Sequence, residues 1–514
     1  MARRARRRDG RGATTHRQRS QPGTDHLRKI RNRPPPDRAL SDDEVANIHS
    51  EALRFLAEHG IRVLLPEARE LLSRAGATVG HDGDDNRIRF PPELVEEALA
   101  SAPSVFVVRD AHGPGTHTVG GDSLLLWPVG GPPFVSDLDH GRRPGTLADF
   151  ENFLRLTQRT DVLHGNGPSV EPMDVPVEIR HLHLTLSQLR LSDKVPFLFT
   201  RGRQRVLDVF ELLRIHAGLS DEEFVATPLC WGNVNTNSPR QLDVPMSMGI
   251  IEMACHGQPC IITPFTLAGA MAPASLAGAL LLQHLEVLAG ITLSQVTRIG
   301  APVVYGGFTS NVDMRSGSPA FGTPEAVRAA VATGQLARHV GLPFRSSGSS
   351  TSPIEDAQGA WETVFNLQGA LRGGANIVLH AAGWQEGGLV ASMEKFVLDV
   401  EMLTTIIESW QPVEVNVDEL AYDTIAEVEP GGHFFGTQHT LDRFETAFVD
   451  PIVAVRQSFE AWTEGGSPDA RTRANTVWKS WLHEFEPPKR DEAVMAELED
   501  FVARRTADGG APVE

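Results

Sequence analysis

The chain has 514 residues, 41% of them hydrophobic, and a formal net charge of −18, which suits one large domain with appendages or two domains. The charge is uneven, because residues 1–38 hold 13 Lys and Arg against 3 Asp and Glu, so the acidic remainder disfavours binding to phosphate backbones. No run approaches the ~18 apolar residues of a membrane helix, no apolar signal core follows the N-terminal arginines, and three cysteines give no disulfide framework; we therefore expect a cytoplasmic protein without a membrane partner.

The first 145 residues are predicted to form a tail and a layer. Residues 1–38 are rich in arginine and proline and nearly free of large apolar side chains, so we expect a disordered tail. A solvated tail is favoured over a nucleic-acid contact, which is the alternative reading of such charge. Ser41 and Glu44 form a capping box before an amphipathic helix, and residues 39–145 are predicted to be a helical and extended layer packed on a larger body.

From residue 146 to residue 430, strand-like and helix-like segments alternate regularly. The predicted helices span residues 147–159, 177–191, 204–216, 245–256, 275–293, 324–339, 356–371 and 392–409. About eight strand–helix units match an α/β fold of the (β/α)8 TIM-barrel type better than an open doubly wound sheet. Residues 431–514 are predicted to be a C-terminal extension with helices.

Several motifs of other enzyme classes are missing from the sequence. There is no G-x-G-x-x-G after a strand and no phosphate-binding G-x-x-x-x-G-K-[ST]. There is also no G-x-S-x-G elbow of a serine hydrolase. Because no group of four Cys or His ligands converges, we predict no metal site of the protein's own.

In a (β/α)8 barrel the residues that follow each strand line the active-site mouth. On that rule Tyr305, Ser346, His380 and Trp384 are predicted to face a ligand. For His380 the alternative of a satisfied core histidine stays equally open. Asp137 and Asp139 lie on one side of an extended segment, and turn chemistry before a helix is favoured there over a carboxylate that faces a cation.

Ten segments in sequence order resemble the trimethylamine methyltransferase family of corrinoid-dependent methyltransferases. They are residues 40–63, 130–150, 170–182, 192–196, 257–280, 300–307, 313–325, 335–343, 392–402 and 430–444. The resemblance implies a TIM barrel that moves a methyl group from an amine nitrogen to the Co(I) of a corrinoid. It implies further that a separate small protein carries the corrinoid, while this chain binds no metal itself.

The sequence departs from that family at one place. Members that act on trimethylamine carry pyrrolysine at the barrel mouth, and this chain has only ordinary residues; Thr351 is followed by Ser352 and Pro353 rather than by Asp and Lys. The resemblance to relatives without pyrrolysine therefore implies a quaternary amine such as glycine betaine as the methyl donor. Trimethylamine as the donor, and a barrel that binds quaternary amines without turnover, stay open, as does a homo-oligomer.

A quaternary nitrogen needs neither acid nor base, so the expected site is one of binding and orientation. Aromatic faces would hold the cationic head. The candidates are Trp127, Phe134, Trp231, Phe265, Tyr305, Trp384, Phe434 and Phe435. His380 is the first choice to bind a carboxylate and Arg315 the second, while Asp137 and Glu386 are predicted to form an acidic wall. Weaker candidates are Glu171, Glu252, His433 and His439.

Overall fold

The computed structural model describes residues 27–512 and has a mixed α/β fold around a curled eight-stranded sheet. Seven strands are mutually parallel, and the two-residue strand Ile30–Arg31 adds antiparallel to one edge. From that edge, the order of the parallel strands is Ser123–Leu126, Ile377–Leu379, Phe344–Ser347, Val303–Gly306, Cys260–Ile262, Trp231–Val234 and Phe197–Leu198. Most of their residues are buried on both faces, as expected for parallel strands covered by helices.

The sheet curls far enough for its two ends to meet inside. Trp127 follows the strand at one end, Phe197 and Trp231 lie in the last two strands at the other, and the indoles of Trp127 and Trp231 are 4.8 Å apart. The segment between these ends contacts both, because the His164 N–H donates to the Leu126 carbonyl at 2.9 Å and Gly165 pairs in parallel with Val195. Alternate residues of the strands therefore face a common interior.

The helices of the body cover the outer face of this sheet. They are Leu147–Arg159, Val177–Leu191, Arg203–Ala217, Val244–Cys255, Leu276–Thr297, Pro324–His339, Ala357–Arg372 and Met393–Ser409. All eight agree with the predicted helices to within a few residues at each end. Local signals at the helix ends explain the agreement. At the start of Pro324–His339, for example, the Thr323 hydroxyl accepts from the Ala326 N–H and Pro324 occupies the first helical position.

The N-terminal residues up to Val119 form a layer of helices and short strands. Its helices are Asp42–Glu58, Pro66–Arg74 and Pro92–Ser101, and its strands are Ile61–Val63, Thr78–His81, Asp84–Arg89, Phe106–Arg109 and Thr116–Val119. Three later strands of the predicted layer pair with the body instead. Phe134–Asp137 and Gly141–Pro144 join a sheet with Val390–Ser392, and Ser123–Leu126 lies in the central sheet. Its run of three leucines is buried on both faces, which suits a parallel strand rather than a surface layer.

A hairpin of the layer fills the end of the interior where the strands begin. Its strands Phe106–Arg109 and Thr116–Val119 pair antiparallel. Val108 and Val119 are buried in one apolar cluster with Leu125 of the central sheet. The opposite end, where the parallel strands finish, is therefore the end available for a ligand.

Residues 27–38, predicted to belong to a disordered tail, are held against the body. Ile30 is buried, and the Asn32 N–H donates to the Asp122 carbonyl at 2.8 Å. Arg28 forms ion pairs with Asp161 and Glu408. The prediction fails here because cations that look solvated in the sequence find buried or half-buried carboxylates; residues 1–26 of the predicted tail lie outside the described residues.

The sequence predicted no membrane-spanning segment, but one helix is long and apolar enough to cross a membrane. Leu276–Thr297 has 22 residues and an 18-residue window of mean hydropathy 1.6. However, 78% of that window is buried inside the fold. It packs against Asp42–Glu58 and Pro92–Ser101 of the N-terminal layer, so this is a core helix.

The C-terminal extension is longer than the part that packs on the body. Its helices are Val417–Leu420, Tyr422–Glu427, Gln438–Arg443, Phe459–Glu464, Ala470–His483 and Glu492–Ala507. Ala470–His483 packs on Met393–Ser409, and Glu492–Ala507 packs on Val177–Leu191. The residues before Ala470 are mostly exposed.

A buried lysine fastens the helix Leu147–Arg159 to the segment after it. Lys194 is 2% exposed, and its ammonium donates to the carbonyls of Thr157, Thr160 and Leu163 at 2.5, 2.6 and 2.7 Å. The last carbonyls of a helix have no partner inside the helix, and a cation there is favoured by the helix dipole. Lys194 is thus a structural clamp.

Replacing Lys194 with methionine is expected to lower the free energy of unfolding by about 3 kcal/mol, because the buried carbonyls of Thr160 and Leu163 lose their donor. The Thr157 carbonyl still accepts from the N–H and hydroxyl of Thr160. Urea unfolding of the two proteins measures the difference. Lys489→Met, at an exposed lysine, is the matched control and should change stability by less than about 0.5 kcal/mol. Equal stability of the Lys194 variant and wild type would contradict the clamp.

Candidate active site

The interior holds one buried cation at the end where the parallel strands finish. Arg345 pairs with Ile377, and Ile377 pairs with Leu125 of the inner apolar cluster, so all three side chains project inward. Arg345 is 1% exposed. Its Nη1 is 3.4 Å from the Gly307 carbonyl, a weak contact.

Arg345 has no counter-ion among residues 27–512. No carboxylate there lies within 4.0 Å of its guanidinium, and its Nε has no acceptor. Burial lowers the pKa of Arg345 to about 9, which reflects the cost of a desolvated charge. A buried arginine of this kind is complementary to an anion supplied by a ligand.

His380 brings a second donor to the same point. Its Nδ1 accepts from the Gly130 N–H at 3.2 Å, so in the neutral ring the hydrogen is assigned to Nε2. Burial and the Arg345 charge hold the pKa of His380 well below its usual value, which keeps the ring neutral. Its Nε2 is 3.3 Å from Arg345 Nη2, and two N–H donors that face each other cannot bond, whereas a carboxylate between them could accept from both.

The backbone at His380 is strained in a way that fixes the ring. His380 has φ of 56°, in the left-handed region that non-glycine residues seldom occupy. Strain of this kind costs on the order of 1–3 kcal/mol and persists where the surroundings over-determine it. Here Ala381 donates its N–H to the Trp127 carbonyl at 2.9 Å and holds the turn.

Two aromatic rings, Phe308 and Trp384, lie against this pair of donors, and Phe265 and Phe321 pack on them. Phe308 is the central one: its ring centroid is 5.0 Å from Phe265, 5.4 Å from Phe321 and 6.1 Å from Trp384. The Arg345 guanidinium lies 5.2 Å from the same centroid. Trp384 is 4.0 Å from the His380 ring. Since ring faces attract cations, an apolar, cation-accepting wall adjoins the anion-accepting point; we call these four rings the aromatic wall.

A polar cavity opens behind the aromatic wall. It has a volume of about 20 Å³ and is lined in part by Phe308, Ser346, Thr333 and Asn366, the last two on the helices Pro324–His339 and Ala357–Arg372. Ser346 follows the inward-facing Arg345 in its strand, so its side chain faces these helices rather than the predicted ligand. A cavity of this size holds a water molecule. The serine loop over it is anchored by Glu362, which accepts from the Thr351 and Ser352 N–H groups at 2.7 and 2.9 Å.

The predicted residues Glu386 and Phe134 lie together at the rim. Glu386 accepts from Arg142 at 3.0 Å, and the Arg142 guanidinium covers the Phe134 ring at 3.7 Å. Glu386, Gly387 and Gly388 have φ values of 52°, 63° and 101°, and Gly388 touches the Trp384 ring so closely that any side chain there would collide with it. This turn covers Trp384 from outside.

Trp127 and Trp231 lie deeper in the interior, next to Phe197, whose ring is 4.7 Å from Trp231. Neither indole N–H has an acceptor among the described residues. Gly165 lets the chain pass Trp127, because a Cβ there would be 1.7 Å from the indole nitrogen. These two predicted residues face the interior but contact neither Arg345 nor His380.

The prediction for Tyr305 is wrong. Tyr305 is buried in the outer core, and its hydroxyl is 2.7 Å from His284 of the helix Leu276–Thr297. Its neighbour Val304 faces the interior instead. Successive residues of a strand point to opposite faces, so Tyr305 points outward because Val304 points inward.

Asp137 follows the turn interpretation rather than the acidic-wall prediction. Its carboxylate accepts from the N–H groups of Asp139 and His140 at 3.0 and 2.8 Å and from Arg143 at 2.6 Å. Burial opposes ionisation, but the His140 and Arg143 bonds outweigh it and lower the pKa of Asp137. Asp137, Asp139 and His140 also lie close enough to share an ion, but Arg143 already neutralises the buried member.

Asp137→Asn is expected to reduce stability by about 2 kcal/mol through the loss of the Arg143 ion pair and to leave turnover within about threefold of wild type. Because the folded-state pKa lies below the unfolded one, this contribution is present above the ordinary carboxyl range and is lost as the pH falls through the folded value. Thermal melts from pH 3 to 7, with turnover at pH 7, test both points. A large loss of turnover at unchanged stability would restore the catalytic assignment.

The other predicted residues lie away from the aromatic wall. Arg315 is exposed at the tip of a turn. Phe434 and Phe435 are exposed in the C-terminal extension, next to His433. His439 lies in the same extension. Glu171 pairs with Arg180 and Glu252 with Arg203. None of these residues contacts Arg345 or His380 in the described part of the chain.

Arg345, Phe308 and Phe321 lie in the site but were not predicted from the sequence. Arg345 had a signal, since a cation in the middle of the strand Phe344–Ser347 cannot be solvated if that strand is parallel and buried on both faces. Phe308 had a weaker one, as the first large residue after Gly306 and Gly307 at a strand end. Phe321 lies in an irregular segment, where no pattern indicates which way a side chain points.

Comparison with known proteins gives matches over nearly the whole chain. The family model described as trimethylamine methyltransferase matches residues 4–510. A glycine betaine methyltransferase of Desulfitobacterium hafniense (strain Y51) is 34% identical over 473 residues, which are 92% of this chain and 98% of that protein. A trimethylamine methyltransferase MttB of Desulfitobacterium hafniense (strain DSM 10664 / DCB-2) is 29% identical over 467 residues, covering 90% of this chain and 93% of that protein. Among solved structures, the monomethylamine methyltransferase of Methanosarcina barkeri aligns with a TM-score of 0.42 at 10% identity, over 89% of this chain and 92% of that chain.

Proposed function

This chain belongs to the trimethylamine methyltransferase family, and we propose on that basis that it takes a methyl group from a quaternary amine that carries a carboxylate, such as glycine betaine. The methyl acceptor in this proposal is the Co(I) corrinoid of a separate protein. The observation that carries the substrate class is Arg345, a buried cation that has no counter-ion among residues 27–512 and lies beside a cluster of aromatic rings.

The carboxylate of the substrate would lie between Arg345 and His380. A carboxylate accepts two parallel bonds from a guanidinium and a third from the Nε2–H of His380. It would also offset the desolvation cost that lowers the Arg345 pKa. In this proposal His380 has the role predicted from the sequence, that of a hydrogen-bond donor to the substrate carboxylate. Arg345 takes the place of Arg315 as the second donor.

The trimethylammonium head would lie on the aromatic wall. Phe308 and Trp384 each adjoin the anion-binding point, at 5.2 Å from the Arg345 guanidinium and 4.0 Å from the His380 ring respectively. A desolvated cation–ring contact contributes about 2 kcal/mol. Because the carboxylate fixes one end of the substrate, the rings fix the direction in which one N–CH3 bond points.

The proposed methyl transfer requires no acid or base from this chain. When a methyl group leaves a quaternary nitrogen, the N–C electron pair stays on nitrogen and a neutral tertiary amine departs, so no proton moves. The corrinoid supplies the nucleophile, and the chain supplies orientation and the exclusion of water. His380 touches the aromatic wall, but its low pKa keeps the ring neutral and its Nδ1 already accepts from the Gly130 N–H, which fits a reaction without proton transfer.

We further propose that the central sheet is closed as a (β/α)8 barrel. Residues 164–166 would be the eighth position, since they bond to Leu126 on one side and to Val195 on the other. The barrel would then begin at Ser123 rather than at residue 146. We place the protein in the cytoplasm, where its free cysteines Cys230, Cys255 and Cys260 would stay reduced.

Trimethylamine is a weaker second candidate. Two of the matched relatives' names show that the family includes trimethylamine methyltransferases. That amine has no carboxylate, so it would leave Arg345 and His380 unpaired. A barrel that only binds amines is the other alternative, and turnover separates it from an enzyme.

Ligand binding by calorimetry tests the substrate class. Four ligands form a matched set: glycine betaine, tetramethylammonium without the carboxylate, 3,3-dimethylbutanoate without the positive charge, and trimethylamine. We expect glycine betaine to bind at least ~10-fold more tightly than each of the others, because only it engages both charges. Equal or tighter binding of trimethylamine would contradict the proposal.

A further inference from the structure

A long stretch of the C-terminal extension leaves the body and returns without packing on it. Residues 411–458, which we call the arm, connect the helix Met393–Ser409 to the last helices of the chain. Only Thr437 and Val453 of the arm are buried. The return point is fixed, because Glu401 accepts from the Val453 and Ala454 N–H groups at 2.6 and 3.0 Å.

The arm exposes an unusual amount of apolar surface. Thirteen of its large apolar residues are between 44% and 88% exposed. They are Val413, Val415, Val417, Leu420, Tyr422, Ile425, Phe434, Phe435, Leu441, Phe444, Phe448, Val449 and Val455. Together they present on the order of 1,500 Å², whereas the largest apolar patch of a typical monomer is roughly 300–600 Å² and a standard interface buries about 800 Å² per partner.

The arm is not a solvated linker. Flexible linkers are poor in aromatic and branched apolar residues, and the arm has four phenylalanines and a tyrosine. It also contains the capped helices Val417–Leu420 and Gln438–Arg443. Ordering these residues costs about 1–2 kcal/mol each in backbone entropy, and the arm has almost no core of its own to offset that cost. Its conformation therefore requires burial against another surface.

We propose that this surface is a second copy of the same chain. The arm carries nine Asp and Glu against two Arg, which disfavours a nucleic acid or an anionic membrane as the occupant. A segment without a core needs permanent cover, and a second copy is always present at the same concentration. The corrinoid protein does not meet that need, because on the proposed function it must leave after each methyl transfer.

The mass of the full chain in solution tests the inference. Light scattering of wild type at ~10 μM should give a multiple of the 56.0 kDa chain mass. The double variant F444E/F448E, at sites 81% and 85% exposed, should be monomeric with unchanged circular dichroism. The control I299E/M314E, at sites 82% and 74% exposed outside the arm, should keep the wild-type mass. A monomeric wild type, or an F444E/F448E protein with the wild-type mass, would overturn the inference.

Amide hydrogen exchange of the unmodified chain gives a second test that needs no variant. If a second copy covers the arm, the amides of Tyr422–Glu427 and Gln438–Arg443 should exchange slowly at high protein concentration and faster on dilution to the monomer. Fast exchange at every concentration would overturn the inference. Neither test uses methyl transfer, so failure here and failure of the proposed function are distinguishable.

Discussion

Replacing Arg345 with methionine is expected to lower kcat/KM for glycine betaine by roughly 10²–10³-fold, because a buried charge-assisted pair with the substrate carboxylate is lost. The same change should leave the weak binding of tetramethylammonium nearly unaltered, since that cation has no carboxylate. Initial rates for glycine betaine and calorimetry for both ligands measure the contrast.

Stability provides the control for this variant. Methionine has a similar length and removes a buried charge that has no counter-ion within the described residues, so the melting temperature of the ligand-free protein should stay equal or rise. Arg345→Lys keeps the charge without the planar fork and should recover only part of the activity. Equal losses for glycine betaine and tetramethylammonium, or a collapse in stability, would mean that Arg345 supports the fold instead of the carboxylate.

Trp384→Ala is the second large effect that we expect. Losing the ring removes one desolvated cation–ring contact worth about 2 kcal/mol, which corresponds to a ~30-fold weaker binding of the trimethylammonium head. In contrast to Arg345→Met, it should weaken glycine betaine and tetramethylammonium alike, because both carry that head, and should spare 3,3-dimethylbutanoate.

A conservative variant shows whether the face or the volume of Trp384 matters. Trp384→Phe keeps a ring and should recover most of the affinity, whereas Trp384→Leu keeps apolar volume without a π-face and should not. Trp361→Leu, at an indole 53% exposed on the helix Ala357–Arg372, is the matched control. If the leucine and phenylalanine variants at residue 384 bind equally well, the ring only fills space.

The helices of this fold could be predicted because each carries local signals. Pro324–His339 begins and ends where the sequence indicates, since Thr323, Pro324 and an apolar period act on the same few residues. The inner and outer faces of the parallel strands could not be predicted as well. Strands buried on both faces have no polar alternation to read, so Tyr305 was placed inside and the inward cation Arg345 was overlooked.

The residues of the site also differ in how well the sequence predicts them. His380 and Trp384 follow the strand Ile377–Leu379 directly, and both lie at the predicted end of the sheet. Phe308 and Phe321 join them only through loops between more distant elements, which no local pattern specifies. Asp137 shows the opposite error, because a buried carboxylate with a nearby arginine reads equally well as a ligand or as a turn until its hydrogen bonds are known.

Methyl transfer from a labelled substrate to a corrinoid protein is the decisive test of the proposed reaction. The purified chain, a corrinoid protein reduced to Co(I) and glycine betaine with ¹³C in its methyl groups are mixed, and the products are followed by NMR and by the corrinoid absorption spectrum. One dimethylglycine should form for each methylated corrinoid, and this transfer should be lost in the Arg345→Met variant. Demethylation of trimethylamine with no reaction of any carboxylated quaternary amine would contradict the proposed reaction.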